Sequence, residues 1–168
     1  MAPYAIASLL TSLFIHAGLP HILGNMLYLY IFGAAVEERL GAVRYLCFYL
    51  GAGVVAGLAT IWMAPASLVP VVGASGAIAG VLGAYFIFHP RGRILTVLPL
   101  LAFVEVPAVV YLLLWFAAQL YGGIEAQAQA GMEGGVAWWA HVGGFLFGVA
   151  AGPMISRRVD ARRRRMRG

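Results

Sequence analysis

The sequence consists largely of long apolar stretches that carry almost no charged side chains, and this feature limits the folds open to it. Of its 168 residues, 62% are hydrophobic and only 10% are charged, whereas an ordinary soluble domain carries about 25% charged residues. So few polar groups could not cover a water-soluble globule. The sequence therefore predicts an integral membrane protein with one domain. Its single cysteine, Cys47, excludes an internal disulfide, and we expect that thiol to be buried.

Five apolar stretches have the composition of helices that cross a bilayer, for which about 20 residues are needed. We place their bounds roughly at His21–Val36, Val43–Met63, Ser75–Phe88, Leu98–Tyr121 and Trp138–Ile155. Pro99 and Pro107 are expected to kink the fourth helix or to set its start. The predicted fold is all-α, a polytopic transmembrane helix bundle with about five spans. We assign residues 1–155 to this membrane domain and residues 156–168 to an arginine-rich tail.

Arginine is confined to alternate loops of this arrangement. Arg39 and Arg44 lie between the first two helices, Arg91 and Arg93 lie between the third and fourth, and the remaining seven follow the fifth. Cytoplasmic loops of membrane proteins carry such an excess of positive charge, so we expect a cytoplasmic C-terminus. The net charge of +5 is thereby explained, and no nucleic-acid partner is expected. The outer loop 122–137 is rich in glycine and is either a mobile element or a flexible connector.

Polar residues cluster at one depth of the predicted bundle. His16, His21, Asn25, Ser75 and His141 all fall in the half of the membrane predicted to face outward. His21 and Asn25 are four residues apart and therefore share one helix face. Ionisable side chains inside a membrane are costly and are functional candidates for that reason. We therefore interpret these residues as one site.

The third apolar stretch, Ser75–Phe88, is shorter than the bilayer is thick. Its 14 residues extend about 21 Å at 1.5 Å per residue, against about 30 Å of hydrocarbon. Ser75 must then lie below the outer surface, and a non-helical segment over 68–74 must reach it. Irregular backbone at that depth requires a cavity beside it, and hydrolysis inside a membrane requires the water that such a cavity holds.

Glycines recur every four residues on the third and fifth stretches, at Gly76 and Gly80 and at Gly144, Gly148 and Gly152. Small residues let membrane helices approach closely. If the two rows face each other, His141 comes next to Ser75. By itself, the motif over 71–80 would also fit a packing seam without chemistry. The serine and the histidine at matching helix ends favour a catalytic site.

A serine hydroxyl becomes a nucleophile when a base accepts its proton, and imidazole is the usual base. The oxyanion would be met by backbone N–H groups at a helix start and by the side chains of Asn25 and His21. No carboxylate is placed to complete a triad, so we predict a Ser75–His141 dyad. The sequence lacks the His-Glu-x-x-His motif of zinc proteases, and its only aspartate is Asp160 in the tail. We expect no metal and no cofactor.

Four groups of residues resemble the rhomboid family of intramembrane serine proteases. They are His16-x4-His21-x3-Asn25, Gly33-x3-Glu37-x3-Gly41, Gly73-Ala74-Ser75-Gly76 and Ala140-His141-Val142-Gly143-Gly144-x3-Gly148, and they cover roughly residues 8 to 155. The resemblance implies that Ser75 is the nucleophile and His141 the general base. It implies an oxyanion hole formed by Asn25, His21 and the N–H of Ser75. It also implies structural roles for His16, Gly73, Gly76 and Glu37.

The resemblance further implies substrates that are single-pass transmembrane proteins, cut near the outer membrane face. We expect a multi-pass protein of a bacterial cell membrane, in contact with the lipid bilayer, and the oligomeric state stays open. The family core resembles six spans, of which this chain matches the last five, so we expect the first span to be absent. In members of that family, an aromatic residue often lies four positions after the catalytic serine and packs against the catalytic histidine. Here that residue is Ala79, so we expect His141 to be held differently.

Two other functions fit parts of the pattern. An inactive rhomboid-like protein that binds membrane clients without cutting them would fit the expected absence of the first span. A transporter or channel would need internal repeats or polar groups that continue through the bilayer, and the polar residues here stop at the outer half. The sequence therefore favours the protease.

Overall fold

A computed structural model describes residues 3–65, 72–98, 102–128 and 137–165. The elements are α1 Pro3–Thr11, α2 Leu19–Tyr28, α3 Ala34–Leu40, α4 Ala42–Met63, α5 Ser75–Phe88, β1 Arg93–Leu98, β2 Ala102–Pro107, α6 Ala108–Ala128 and α7 Trp138–Arg165. A short 3-10 turn lies between α1 and α2, and a π-helical turn at Leu29–Gly33 joins α2 to α3 without a break.

The predicted all-α membrane bundle is confirmed. Three described helices are long and apolar enough to cross a bilayer: the continuous helix Leu19–Leu40, α4 and α6. Their outward faces carry large apolar side chains such as Tyr30 and Trp62, which are 82% and 81% exposed. An apolar surface of this extent is suited to lipid rather than water. Helix α5 is an apolar helix of only 14 residues, and the count of five spans stays a prediction.

Helix α5 lies at the centre of the bundle. Every residue from Gly76 to Ala84 is buried, because α4 and α7 both pack against this helix, and α2, α3 and α6 add further contacts. A helix that is apolar on all faces is typical of such a central position. On the α4 side, Gly76 and Gly80 lie directly against the methyl groups of Ala56 and Ala52. Helices α4 and α5 are therefore antiparallel and in close contact.

The two glycine rows recognised in the sequence do face each other. A Cβ atom at Gly144 would overlap the carbonyl oxygen of Gly76, and a Cβ atom at Gly148 would overlap that of Gly80. Because both residue numbers increase in the same direction, α5 and α7 run parallel and begin at the same level of the bundle. The first residues of these two helices are therefore brought side by side.

Larger side chains fill the half of the bundle away from the start of α5. The core there is formed by residues from α3 to α7 and from β1, among them Val36, Phe48, Leu82, Leu112 and Phe145. These side chains pack around the part of α5 that lies beyond its first turns. The space around Ser75 is left to polar groups.

The fourth apolar stretch begins later than the sequence suggested. Residues 93–98 and 102–107 form an antiparallel hairpin, in which Arg93 pairs with Pro107 and Leu98 with Ala102. Helix α6 starts at Ala108, so Leu98 is not its first residue. Pro107 immediately precedes the helix, and it therefore sets the start of α6 rather than kinking it. Proline disfavours a helical conformation of the residue before it, and β-branched residues in both arms favour strands.

The glycine-rich segment expected as a loop over residues 122–137 begins as helix. Gly122 and Gly123 belong to α6, where they lie against the indole rings of Trp138 and Trp139. They therefore serve helix packing rather than mobility, and residues 129–136 of the expected loop lie outside the described residues. At the other end, α7 continues to Arg165, so the arginine-rich tail begins as helix.

The expectation of a buried cysteine is wrong. Cys47 is exposed, because only one face of α4 packs against the bundle. In a membrane helix the outward face is apolar as well, so an apolar neighbourhood in sequence does not indicate burial.

The contact between α5 and α7 can be tested with one methyl group. Gly148→Ala places a Cβ atom against the backbone of Gly80, and we expect the free energy of unfolding to fall by about 1–3 kcal/mol, as overpacking does. Gly24→Ala is the matched control, because Gly24 is a helical glycine with open space around it. Thermal unfolding in detergent measures both, and equal melting temperatures would contradict the close approach.

Candidate active site

Ser75 is the first residue of α5, and its backbone N–H is one of the amides at the start of this helix. The first hydrogen bond of the helix runs from the N–H of Ile78 to the carbonyl of Ala74, at 2.9 Å. The N–H groups of Ser75, Gly76 and Ala77 precede that bond, as the first amides of any helix do. They form a positively polarised end beside the Ser75 hydroxyl.

His141 lies in the first turn of α7 and contacts Ser75 directly. Its Nε2 atom is 2.9 Å from the Oγ atom of Ser75, a good hydrogen-bond distance. The imidazole is only 8% exposed, so the surrounding helices limit its movement. The structure thus brings together the serine and the histidine that the sequence singled out.

The other ring nitrogen of His141 has a partner that our sequence reasoning missed. Gln119 of α6 lies with its Oε1 atom 2.7 Å from Nδ1 of His141, and its Nε2 atom donates to the carbonyl of Trp115 at 3.2 Å. The Trp115 ring lies 5.8 Å from the imidazole, measured between centroids. A polar amide inside an apolar span is itself a functional signal, and it could have marked Gln119.

Two side chains of α2 line the opposite wall of the site. Asn25 is 7% exposed, and its Nδ2 atom has no hydrogen-bond partner among the described residues. His21 accepts a hydrogen bond at Nδ1 from the N–H of Ala17, at 3.3 Å. In the neutral ring this leaves Nε2 as a donor. Both side chains line the same cavity as Ser75, so this wall of the cavity carries two residues with N–H donors.

Gly73 allows the segment before Ser75 to approach α2. Its φ angle is +109°, a conformation that is open to glycine and unfavourable for other residues. A Cβ atom at this position would also lie within 2.7 Å of the His21 ring and 3.5 Å from Nδ2 of Asn25. The glycine is further held by a 2.9 Å hydrogen bond from its N–H to the carbonyl of Ser12.

The remaining residues of the expected site lie at different distances from Ser75. His16 lies beside His21, with ring centroids 5.2 Å apart at 69°. Gly76 packs against α4 and α7, as described above. Glu37 is exposed on α3; twelve residues after Asn25, it lies about 18 Å further along the helix. Any role of Glu37 is therefore exerted away from Ser75.

A cavity of about 410 Å³ connects these groups. Its lining comes from α2, α5, α6 and α7, and includes His21, Asn25, Ser75, Gln119 and His141 among mostly apolar residues. This volume is within the range of ligand pockets, about 300–1,000 Å³, and it admits several water molecules. A hydroxyl, an imidazole and convergent N–H donors around such a space are the groups that acyl transfer requires.

Comparison with known proteins gives matches to a protein family and to several curated proteins. A family model described as Rhomboid domain matches residues 4–158. The mitochondrial Rhomboid protein 1 of Saccharomyces cerevisiae is 32% identical over 162 residues, 94% of this chain and 44% of that protein. The human mitochondrial presenilin-associated rhomboid-like protein is 33% identical over 147 residues, which are 84% of this chain and 36% of that protein. Rhomboid protease GluP of Bacillus subtilis is 43% identical over 76 residues, which are 45% of this chain and 14% of that protein. The chain spans less than half the length of these curated relatives.

The role of Gly73 can be tested through the reactivity of Ser75. Gly73→Ala forces a Cβ atom into the His21 ring, and displacement of catalytic groups by about 1 Å costs on the order of 10²-fold in rate. We expect a loss of this size in the rate at which a fluorophosphonate labels Ser75. Gly18→Ala is the control, because Gly18 has an extended φ of 167° and no close neighbour. Equal labelling of the two variants would exclude this role.

Proposed function

This chain belongs to the rhomboid family, and we propose that it is an intramembrane serine endopeptidase with a Ser75–His141 dyad. The observation that carries the proposal is the 2.9 Å contact between Ser75 Oγ and His141 Nε2, beside a cavity that is also lined by Asn25 and His21. One relative, GluP, is named a rhomboid protease, which supports the same activity here.

In the first half of the reaction, Ser75 attacks the carbonyl carbon of the scissile peptide bond. His141 Nε2 accepts the hydroxyl proton as the C–O bond forms. The negative charge that develops on the carbonyl oxygen is stabilised by the N–H of Ser75, the amide of Asn25 and the ring N–H of His21. The unpartnered Nδ2 atom of Asn25 supports this role, because a buried donor without a partner is costly unless a ligand uses it.

In the second half, the C–N bond breaks and the imidazolium of His141 gives its proton to the leaving amine. The acyl group stays on Ser75 until a water molecule attacks it. His141 accepts a proton from that water and returns it to Ser75 when the ester bond breaks. The cavity beside Ser75 supplies room for this water within the bundle.

The substrates in this proposal are single-pass transmembrane proteins. Peptide carbonyls within a helix are already hydrogen-bonded, so the segment to be cut must unwind before it reaches Ser75. Ser75 opens a helix shorter than the bilayer, which is consistent with cleavage near one membrane face. We propose that this face is the outer one, with the C-terminus in the cytoplasm of a bacterial cell. His16, Gly73, Gly76 and Glu37 act as structural residues.

The dyad can be tested in purified protein reconstituted into liposomes with a model single-pass substrate. We expect Ser75→Ala and His141→Ala each to abolish cleavage and fluorophosphonate labelling, because the nucleophile or its base is lost. Ser156→Ala and His89→Ala, which alter the same residue types at the opposite end of the bundle, are expected to keep both. Labelling that persists in Ser75→Ala would contradict the assignment. Wild-type binding of the substrate without cleavage would favour the inactive rhomboid-like alternative.

The oxyanion role of Asn25 gives a separate prediction. Removal of one oxyanion donor costs about 10²–10³-fold in kcat, so Asn25→Ala is expected to lower kcat by that factor with little change in KM. Met26→Ala is the control, because Met26 is the neighbouring residue and faces outward, 42% exposed. Steady-state cleavage of the same substrate measures both constants. A kcat of Asn25→Ala within about twofold of wild type would remove Asn25 from the mechanism.

A further inference from the structure

The geometry points to Gln119 as a positioning residue that selects the reactive tautomer of His141. This inference rests on the proposed dyad and adds a third member to it from a different helix, α6. The member is an uncharged amide, in a position where a carboxylate would complete a triad.

The orientation of the Gln119 amide follows from the backbone. Its Nε2 atom donates to the carbonyl of Trp115, one helical turn earlier, at 3.2 Å. A carbonyl can only accept, so the nitrogen of the amide must face Trp115. The oxygen, Oε1, therefore faces His141 at 2.7 Å.

The tautomer of His141 follows in turn from the amide. Because Oε1 only accepts hydrogen bonds, Nδ1 of His141 must carry the proton between them. In the neutral imidazole, Nε2 then has a free lone pair and accepts the hydrogen bond from the Ser75 hydroxyl at 2.9 Å. Three hydrogen bonds therefore run in one direction, from Ser75 through His141 and Gln119 to the carbonyl of Trp115.

An amide suits this position because both side chains are buried. Gln119 and His141 are 7% and 8% exposed, and a buried carboxylate would lose several kcal/mol of hydration. The amide orients the ring without that cost. When Nε2 of His141 takes up the proton from Ser75, Nδ1 keeps its own proton. The N–H at Nδ1 continues to donate its hydrogen bond to Oε1 of Gln119. The hydrogen bond therefore persists through the reaction and holds the ring in place.

Helix α6 supplies the ring contact that α5 lacks. Trp115 and Gln119 are four residues apart and share one face of α6. The indole lies at 37° to the imidazole, with centroids 5.8 Å apart. Ala79 on α5 is fully buried and has no ring to offer. Two residues of α6 therefore contact the His141 ring, so the position of α6 controls whether the dyad is aligned.

The experiment compares Gln119→Leu, which removes the acceptor, with Gln119→Glu, which keeps an acceptor oxygen at the same side-chain length. Gln127→Leu is the matched control, because Gln127 lies on the same helix but donates to the carbonyl of Met63 instead. Two quantities are measured in protein reconstituted into liposomes. The first is the pair of kcat and KM values for a model transmembrane substrate. The second is the set of 15N chemical shifts of His141, identified by their absence in His141→Ala.

For Gln119→Leu we expect kcat to fall by about 10²-fold with KM little changed, at the lower end of what a positioned base contributes. The 15N shifts should change from a single tautomer, protonated at Nδ1, to a mixture. Gln119→Glu should restore the single tautomer and most of kcat, and Gln127→Leu should match wild type. A Gln119→Leu protein that keeps the Nδ1-protonated tautomer and the wild-type kcat would overturn the inference.

The two proposals fail in distinguishable ways. If the wild-type protein cleaves nothing, the protease function is wrong, but the 15N shifts still report on Gln119. A loss of the single tautomer in Gln119→Leu then supports the positioning role without reference to activity, and its retention overturns that role.

Discussion

The close approach of α5 and α7 is the contact on which the rest of this structure depends. In lipid, helices gain little from the hydrophobic effect, and van der Waals packing between small residues takes its place. Gly144 and Gly148 bring the backbone of α7 against the carbonyls of Gly76 and Gly80. Because the two helices are parallel, their first residues meet at one level. The contact between Ser75 and His141 is thus a consequence of packing nearby.

A second constraint acts at the segment before Ser75. Gly73 combines a φ angle that favours glycine with an approach to α2 that excludes any Cβ atom. This approach aligns the donors of α2 with the start of α5. The site also contains a buried donor, Nδ2 of Asn25, that has no hydrogen-bond partner in the part of the chain that the structure describes. Leaving such a donor unpaired costs about 1–3 kcal/mol.

The expectations that failed have a common physical origin. Hydropathy located the apolar stretches, but it could not distinguish strand from helix within residues 102–107, where Pro107 ends a strand rather than kinking a helix. It also could not separate a lipid-facing position from a packed one, and so misplaced Cys47. Glycine content at Gly122 and Gly123 suggested a loop, although the absent side chains make room for two tryptophans. In each case a tertiary neighbour decided the outcome.

The sequence by itself determined the apolar helices, the level of the polar residues and the pairing of His21 with Asn25 on one face, because these depend on composition and helical period. It also identified Ser75 and His141 as candidates. Only the tertiary structure decided that Gln119 holds His141, since that hydrogen bond joins residues 22 positions apart on two helices. The outside of a membrane bundle is as apolar as its inside. The rotation of each helix, and hence the partners of its polar residues, is therefore set by packing that a hydropathy pattern does not record.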